Sequence, residues 1–259
     1  MTGLIIFLIS GFLLVWLVAR KKPPVKIEVV LPENIDELLE ENIAYYRSLP
    51  AEKQSLFVDK VKDFLSYVNI KGVNTTINEL DKLMVACSAV IPIFGFGNWR
   101  YFNLTDVLLY DGAFNAQKFS TSGEDTHTLG MVGTGAMEGM MILSKHALQQ
   151  GFLNETDKSN IGIHEFVHLL DKADGETDGI PEQLLSKQYT IPWINLMNEK
   201  IAAIQKGSSD INPYGAVSKT EFFAVAAEYF FERPDLFKTK HPQLFALMEK
   251  AFIQQPATK

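Results

Sequence analysis

Residues 161–171 read Ile161-Gly-Ile-His-Glu-Phe-Val-His-Leu-Leu-Asp171. His164 and His168 stand four apart, so on a helix they lie one above the other on one face, the spacing that suits a single metal ion. Glu165 is rotated away from both but within reach of a metal-bound water. Ile163, Phe166, Val167 and Leu170 form a complementary apolar face that a protein body must bury. This stretch therefore predicts an amphipathic helix with chemistry on one side, and the rest of the chain has to supply its support and the remaining ligand.

A catalytic zinc site wants three protein ligands and one open position. After His168 the chain continues Leu-Leu-Asp171-Lys-Ala-Asp174-Gly, which excludes a third histidine at metzincin spacing. The candidate source is the apolar helix Lys219-Thr-Glu221-Phe-Phe-Ala-Val-Ala-Ala-Glu228-Tyr-Phe-Phe-Glu232. A carboxylate in such a run is expensive to bury unless it is paired or metal-bound. Glu221 and Glu228 are both credible ligands, and Glu228 can equally hold a buried hydrogen bond, for instance to a histidine. Asp171, one turn past His168, either accepts a histidine ring proton or caps the helix end. His127, His146 and His241 lack ligand spacing and read as surface or packing residues. Cys87, the single cysteine, sits in an apolar run and reads as core; with only one, an intramolecular disulfide and a Cys-rich structural zinc site are excluded.

Around these helices the predicted fold class is α+β, mostly helical with a small central sheet. Ile35, Leu38, Leu39, Ile43 and Tyr46 recur at helical period after Asn34, and Leu56, Phe57, Val61, Phe64, Leu65 and Val68 do so after Pro50. Leu80 to Val90 predicts a third, more buried helix. Val107–Tyr110 and Met140–Ser144 read as strands, separated by a Gly-, Ser- and Thr-rich stretch. Helical periods then dominate over 158–173, 182–206, 218–232 and 241–254. The strand at 140–144, lying just ahead of the histidine helix, is a candidate to pair with the backbone of a bound peptide.

The N-terminus differs in kind. Residues 3–19 run GLIIFLISGFLLVWLVA without a charge, followed by Arg20, Lys21 and Lys22. That length just reaches a membrane-spanning helix, and the charge follows the apolar run, unlike a cleaved signal peptide. Residues 1–22 are thus expected to be a single-pass anchor with its basic flank, holding the bulk of the chain on the cytoplasmic side. Residues 23–33 read as a linker bracketed by Pro23 and Pro32, and residues 34–259 as the folded domain, with N-terminal helices and sheet over 34–150 and active-site helices over 151–259. The formal net charge of -7 leaves no electrostatic footprint for nucleic acid.

HEFVHLLD at 164–171, Tyr214 followed seven residues later by Glu221 in EFFAV, and EYFFERP at 228–234 together resemble the Mlc titration factor A peptidases, whose catalytic core is related to that of anthrax lethal factor. ACSAVIPIF at 86–94 and VLLYDGAF at 107–114 extend the resemblance, which covers most of residues 40–255. It implies a zincin-like domain in which His164, His168 and Glu221 bind one zinc ion per chain, Glu165 is the general base, and Tyr214 reaches toward the active site. A phenol there can donate a hydrogen bond to a developing oxyanion. The expected activity is hydrolysis of a peptide or protein substrate. The alternative is a membrane-tethered regulatory protein that sequesters a partner such as a transcription repressor; a closed structural zinc site with Glu228 as fourth ligand is a further rival. The best-known members of the family are soluble, whereas this chain opens with an anchor, so partnership with a glucose-system repressor is not carried over.

Overall fold

A computed structural model of the chain describes residues 28–154, 157–181 and 184–256. The expected anchor at 1–22 and the first part of the linker lie outside the described residues. Among the described residues no helix is long and apolar enough to cross a membrane.

Three helices come first: α1 (Ile35–Asn42), the single turn α2 (Ala44–Arg47) and α3 (Ala51–Leu65). Asn34 does not cap α1 with its side chain; its carbonyl instead accepts from Leu38 N at 3.0 Å. Strand β1 (Asn69–Val73) leads into α4 (Glu79–Ile93), which opens on a reciprocal capping box between Asn78 and Asp81. From Leu83 to Ile93 every residue of α4 is buried, as expected for a helix that is apolar all round. It is the central post of the molecule, packed against α3 and the histidine helix.

The sheet has four strands, where sequence reading anticipates two. β2 (Asp106–Tyr110) and β4 (Met140–Ser144) match the expected runs, while β1 and β3 (Gly130–Val132) add to them in the order β1-β2-β4-β3. The first three are parallel, with Ile70 opposite Val107 and Val107 opposite Met141; β3 runs antiparallel, Met131 facing Ile142. This corrects the expectation for residues 140–144. β4 is paired on both sides and has no free edge for a peptide, whereas β3 has one.

Helix α5 (Lys145–Leu153) follows β4 directly, with Ser144 as its cap. Next come α6 (Ile161–Asp171), α7 (Lys187–Gln205), α8 (Lys219–Glu232), α9 (Pro234–Lys240) and α10 (Pro242–Phe252). The main hydrophobic core is a continuous cluster reaching from Ile35 to Phe252, beside a small second cluster of Tyr110, Phe114 and Ile142, so segments 34–150 and 151–259 share the main one. Phe166 of α6 makes the link visible, its ring 5.6 Å from Phe64 and 5.1 Å from Tyr101. Gly162 permits α6 to lie this close: a Cβ there would stand 2.1 Å from Ser88 Oγ on α4. Two helices crossing at such contact fix the axis of α6, and with it the direction of its polar face.

Candidate metal centre

Asn160 sets the start of α6, its side chain accepting from Ile163 N at 3.1 Å. From there the apolar face goes inward as expected: Ile163, Phe166 and Val167 are fully buried and Leu170 nearly so. The opposite face carries His164, Glu165 and His168 toward α8 and β3. Ser218 caps α8, accepting from Glu221 N at 3.1 Å, which places Glu221 on the first turn beside the histidines.

Three donor atoms converge. His164 Nε2 and His168 Nε2 are 3.0 Å apart, and Glu221 Oε2 is 2.9 Å from the first and 3.5 Å from the second. Tetrahedral coordination with zinc bonds of about 2.0–2.1 Å needs neighbouring ligands about 3.3 Å apart. The spacing found here matches that to a few tenths of an ångström. The chemistry of the set agrees: two imidazole nitrogens face one another with a carboxylate oxygen between them, and no single hydrogen on either nitrogen can serve all three contacts. His164, His168 and Glu221 therefore fit a zinc ion.

Glu228, seven residues past Glu221 on α8, faces the other side of the same ring. Its Oε1 accepts from His164 Nδ1 at 2.7 Å, and its Oε2 accepts from Asn160 N at 2.6 Å. One imidazole thus stands between two carboxylates of one helix, each taking a different nitrogen. Glu228 does not join the converging donors, which counts against the closed four-ligand site. Asn160 Nδ2 in turn donates to Glu232 Oε1 at 3.1 Å, tying the α6 cap to the end of α8.

Burial by itself would disfavour the His164 imidazolium, but hydrogen bonds to Glu221 and Glu228 outweigh it and push the pKa up to about 10. For Glu221 burial again opposes charge, and the two histidines outweigh it, holding the carboxyl down at about 2. A cation entering this set takes the place of a proton on His164 Nε2, so loading releases a proton. Glu165 behaves differently: burial raises its pKa against the lowering influence of the histidines. Such a carboxyl is closer to accepting a proton near neutrality than an exposed one.

Tyr214 lies in a 3₁₀ turn, Pro213–Ala216, just ahead of α8, its backbone N–H bonded to Asn212 Oδ1 at 3.0 Å. Its ring centre is 6.0 Å from that of His164 and its side chain is half exposed. Burial and the neighbouring carboxylates of Glu221, Glu165 and Glu228 raise its pKa, so the phenol keeps its proton and remains a donor. Asp171 does not reach a histidine ring: its Oδ2 accepts from Gly179 N at 3.0 Å, fastening the loop after α6. His241 is a packing residue, bonded through Nε2 to Asp210 at 2.8 Å, and Cys87 is fully buried.

Two contributors escape sequence reading. Asn160 had a visible signal, an Asn directly before an apolar-periodic run; its second duty, holding Glu228, had none. Gly130 had none either. It opens β3 directly against Glu165, where a Cβ would lie 2.6 Å from the carboxylate oxygen Oε1.

The profile of the glucose-regulated metallo-peptidase M90 family matches residues 17–253. The chain is 27% identical over 251 residues to Mlc titration factor A of Salmonella arizonae, an alignment covering 88% of this chain and 95% of the relative. It is 25% identical over 197 residues to the protein of that name in Pectobacterium atrosepticum, covering 71% and 72% of the two chains. A protein of Synechocystis, itself uncharacterised, is 25% identical over 236 residues, covering 87% and 86%. With the family profile matching all of this chain but its two ends, the chain belongs to the Mlc titration factor A family of M90 metallopeptidases.

Proposed function

We propose that this chain is a zinc-dependent peptidase in which His164, His168 and Glu221 hold one zinc ion and Glu165 moves the proton. The observation that carries this reading is the convergence of three ligand atoms within 3.5 Å of one another, one residue along the helix from an otherwise uncommitted buried carboxylate. Zinc, when bound, supplies Lewis acidity and lowers the pKa of a water toward neutrality.

The chain's own groups do the rest. Glu165 takes a proton at its carboxylate as water attacks the scissile carbonyl, then returns it to the leaving amine. Glu228 holds the Nδ1 proton of His164, which leaves Nε2 as the ligating lone pair. Tyr214 donates its phenolic hydrogen to the oxyanion that develops on the substrate.

Substrate backbone adds to β3. Leu129 O accepts from Ser144 N and Gly133 N donates to Met140 O, so alternation turns the peptide groups of Gly130 and Val132 to the open edge. Protection of those two amides from exchange by a bound peptide is the expected result; unchanged exchange refutes this placement. Residues 1–22 anchor the enzyme, with the domain on the cytoplasmic side. Protease digestion of the domain in inside-out but not right-side-out vesicles tests this, and the reverse pattern overturns it.

The name of the relatives, a titration factor, favours a second reading in which the chain sequesters a protein partner. Metal analysis of the purified full-length chain beside His164→Ala, His168→Ala and Glu221→Gln tests the ligand assignment. The wild type is expected to carry one zinc per chain and each variant to lose it. Full zinc retention in all three variants rules the assignment out.

A further inference from the structure

Gly130 is a glycine for no backbone reason. It is not among the glycines with positive φ, it pairs regularly opposite Leu143, and the extended conformation of a strand admits any residue. What excludes a side chain is its neighbour. A Cβ at this position would meet Glu165 Cγ and Oε1 at 2.6 Å and Cδ at 2.8 Å, closer than real carbon atoms approach. The Glu165 side chain occupies the slot a residue at 130 would fill.

Glu165 is also held differently from the acids around it. No hydrogen bond to its carboxylate is found among the described residues, and the groups that act on it do so through burial and charge. The neighbouring carboxylates, by contrast, are fixed by polar contacts: that of Glu221 by the His164 and His168 rings, and that of Glu228 by Asn160 N and the His164 ring. With no hydrogen bond to set its direction, the position of the Glu165 carboxylate follows from packing between α6 and the edge strand. The wall on the strand side is the bare backbone of Gly130.

We propose that Gly130 is a positioning residue for Glu165: its missing side chain sets how far the carboxylate withdraws toward β3 and so where the proton acceptor stands relative to the ligand atoms. The same residue presents its peptide groups to the open edge, so one position determines both the seat of the acceptor and the line along which substrate backbone lies. A methyl group at 130 drives the carboxylate out of its slot toward His164 and His168, or pushes β3 away from α6. The catalytic consequence rests on the peptidase reading above, but the steric relationship does not.

A stability cycle separates the two. Gly130→Ala, Glu165→Ala and the double variant are compared with wild type as full-length protein by thermal unfolding. Overpacking a filled site lowers Tm by several degrees, on the order of 3–8 °C for a domain of this size. The expected result is such a drop for Gly130→Ala in the wild-type background and little or none in the Glu165→Ala background, where the slot is empty. If Gly130→Ala alone fails to fold, recovery of folding in the double variant supports the proposal equally. Equal shifts in both backgrounds, zero included, or failure of both to fold, overturn the proposal. Alongside, Gly130→Ala is expected to retain zinc and lose at least 10-fold in peptide hydrolysis. A wild type that hydrolyses nothing removes the peptidase reading while leaving the cycle to decide the role of Gly130.

Discussion

Replacing Glu228 by glutamine changes one atom's chemistry and no shape, yet the site cannot absorb it. The two oxygens of Glu228 accept from two donors, Asn160 N at 2.6 Å and His164 Nδ1 at 2.7 Å. An amide offers one acceptor and one donor group. Asn160 N is a fixed donor at the start of α6, so the amide oxygen must turn to it; the amide hydrogens then face Nδ1 and force the ring proton onto Nε2. That proton sits where the metal lone pair belongs. With the amide flipped, the Nδ1 proton is kept but the buried Asn160 N–H meets a second donor, a loss of about 1.5–3 kcal/mol for a hydrogen bond to a charged group.

The expected outcome is a 10- to 100-fold weaker zinc affinity, equivalent to about 1.4–2.8 kcal/mol. Competition against a chromophoric chelator measures it, and nitrogen chemical shifts of the His164 ring report the tautomer. A zinc affinity within twofold of wild type, with Nδ1 still protonated, refutes this role for Glu228. The residue would then be a packing group whose contact with the ring is incidental.

Asp210 holds the loop ahead of Tyr214, accepting from Tyr229 OH at 2.7 Å, His241 Nε2 at 2.8 Å, and Lys158 Nζ and Lys240 Nζ at 3.1 Å each. These partners outweigh burial and hold its carboxyl well below the ordinary range, so its stabilisation is present above the unfolded value near pH 4 and is lost as pH falls below it. Asp210→Asn is expected to lose about 2 kcal/mol at pH 7, allowing for partial exposure, and denaturant titrations should show the gap to wild type closing on acidification below about pH 4; a pH-independent gap contradicts this. Tyr214→Phe is expected to lower kcat roughly 10²-fold with zinc content unchanged, and steady-state kinetics showing only a KM effect would reassign the phenol to substrate binding.

Much of the site was legible because its pattern is local. The i, i+4 histidines, the apolar back of α6 and the two acids on α8 are readable at helical period, and all lie on the elements expected. Spacing could not separate Glu221 from Glu228, since residues seven apart lie on one face of a helix and both reach α6. A histidine has two ring nitrogens, and the fold gives one to each acid. Family resemblance singled out Glu221 by its motif; the placement that distinguishes the two acids is one that no periodicity encodes.

The missed elements share a cause. β1, Asn-Ile-Lys-Gly-Val, and β3, Gly-Met-Val, carry weak strand propensity and become strands because β2 and β4 offer ladders beside them. α5 begins at Lys145 with no residue between it and β4, whose last residue, Ser144, serves also as its cap, and α9 starts at Pro234, a residue that reads as a stop but is well suited to a first helical turn. Helix α7 starts at Lys187, five residues after the expected 182, following Ser186. Gly130 was invisible because its meaning lies in a contact with a residue 35 positions away, made by an atom it does not have.

The deciding comparison is zinc content and hydrolysis of a mixed peptide library by the full-length wild type and Glu165→Gln. Both proteins are predicted to bind one zinc per chain, and only the wild type to release peptides. Equal cleavage by the two proteins contradicts the role given to Glu165, and absence of zinc from the wild type contradicts the metal centre itself.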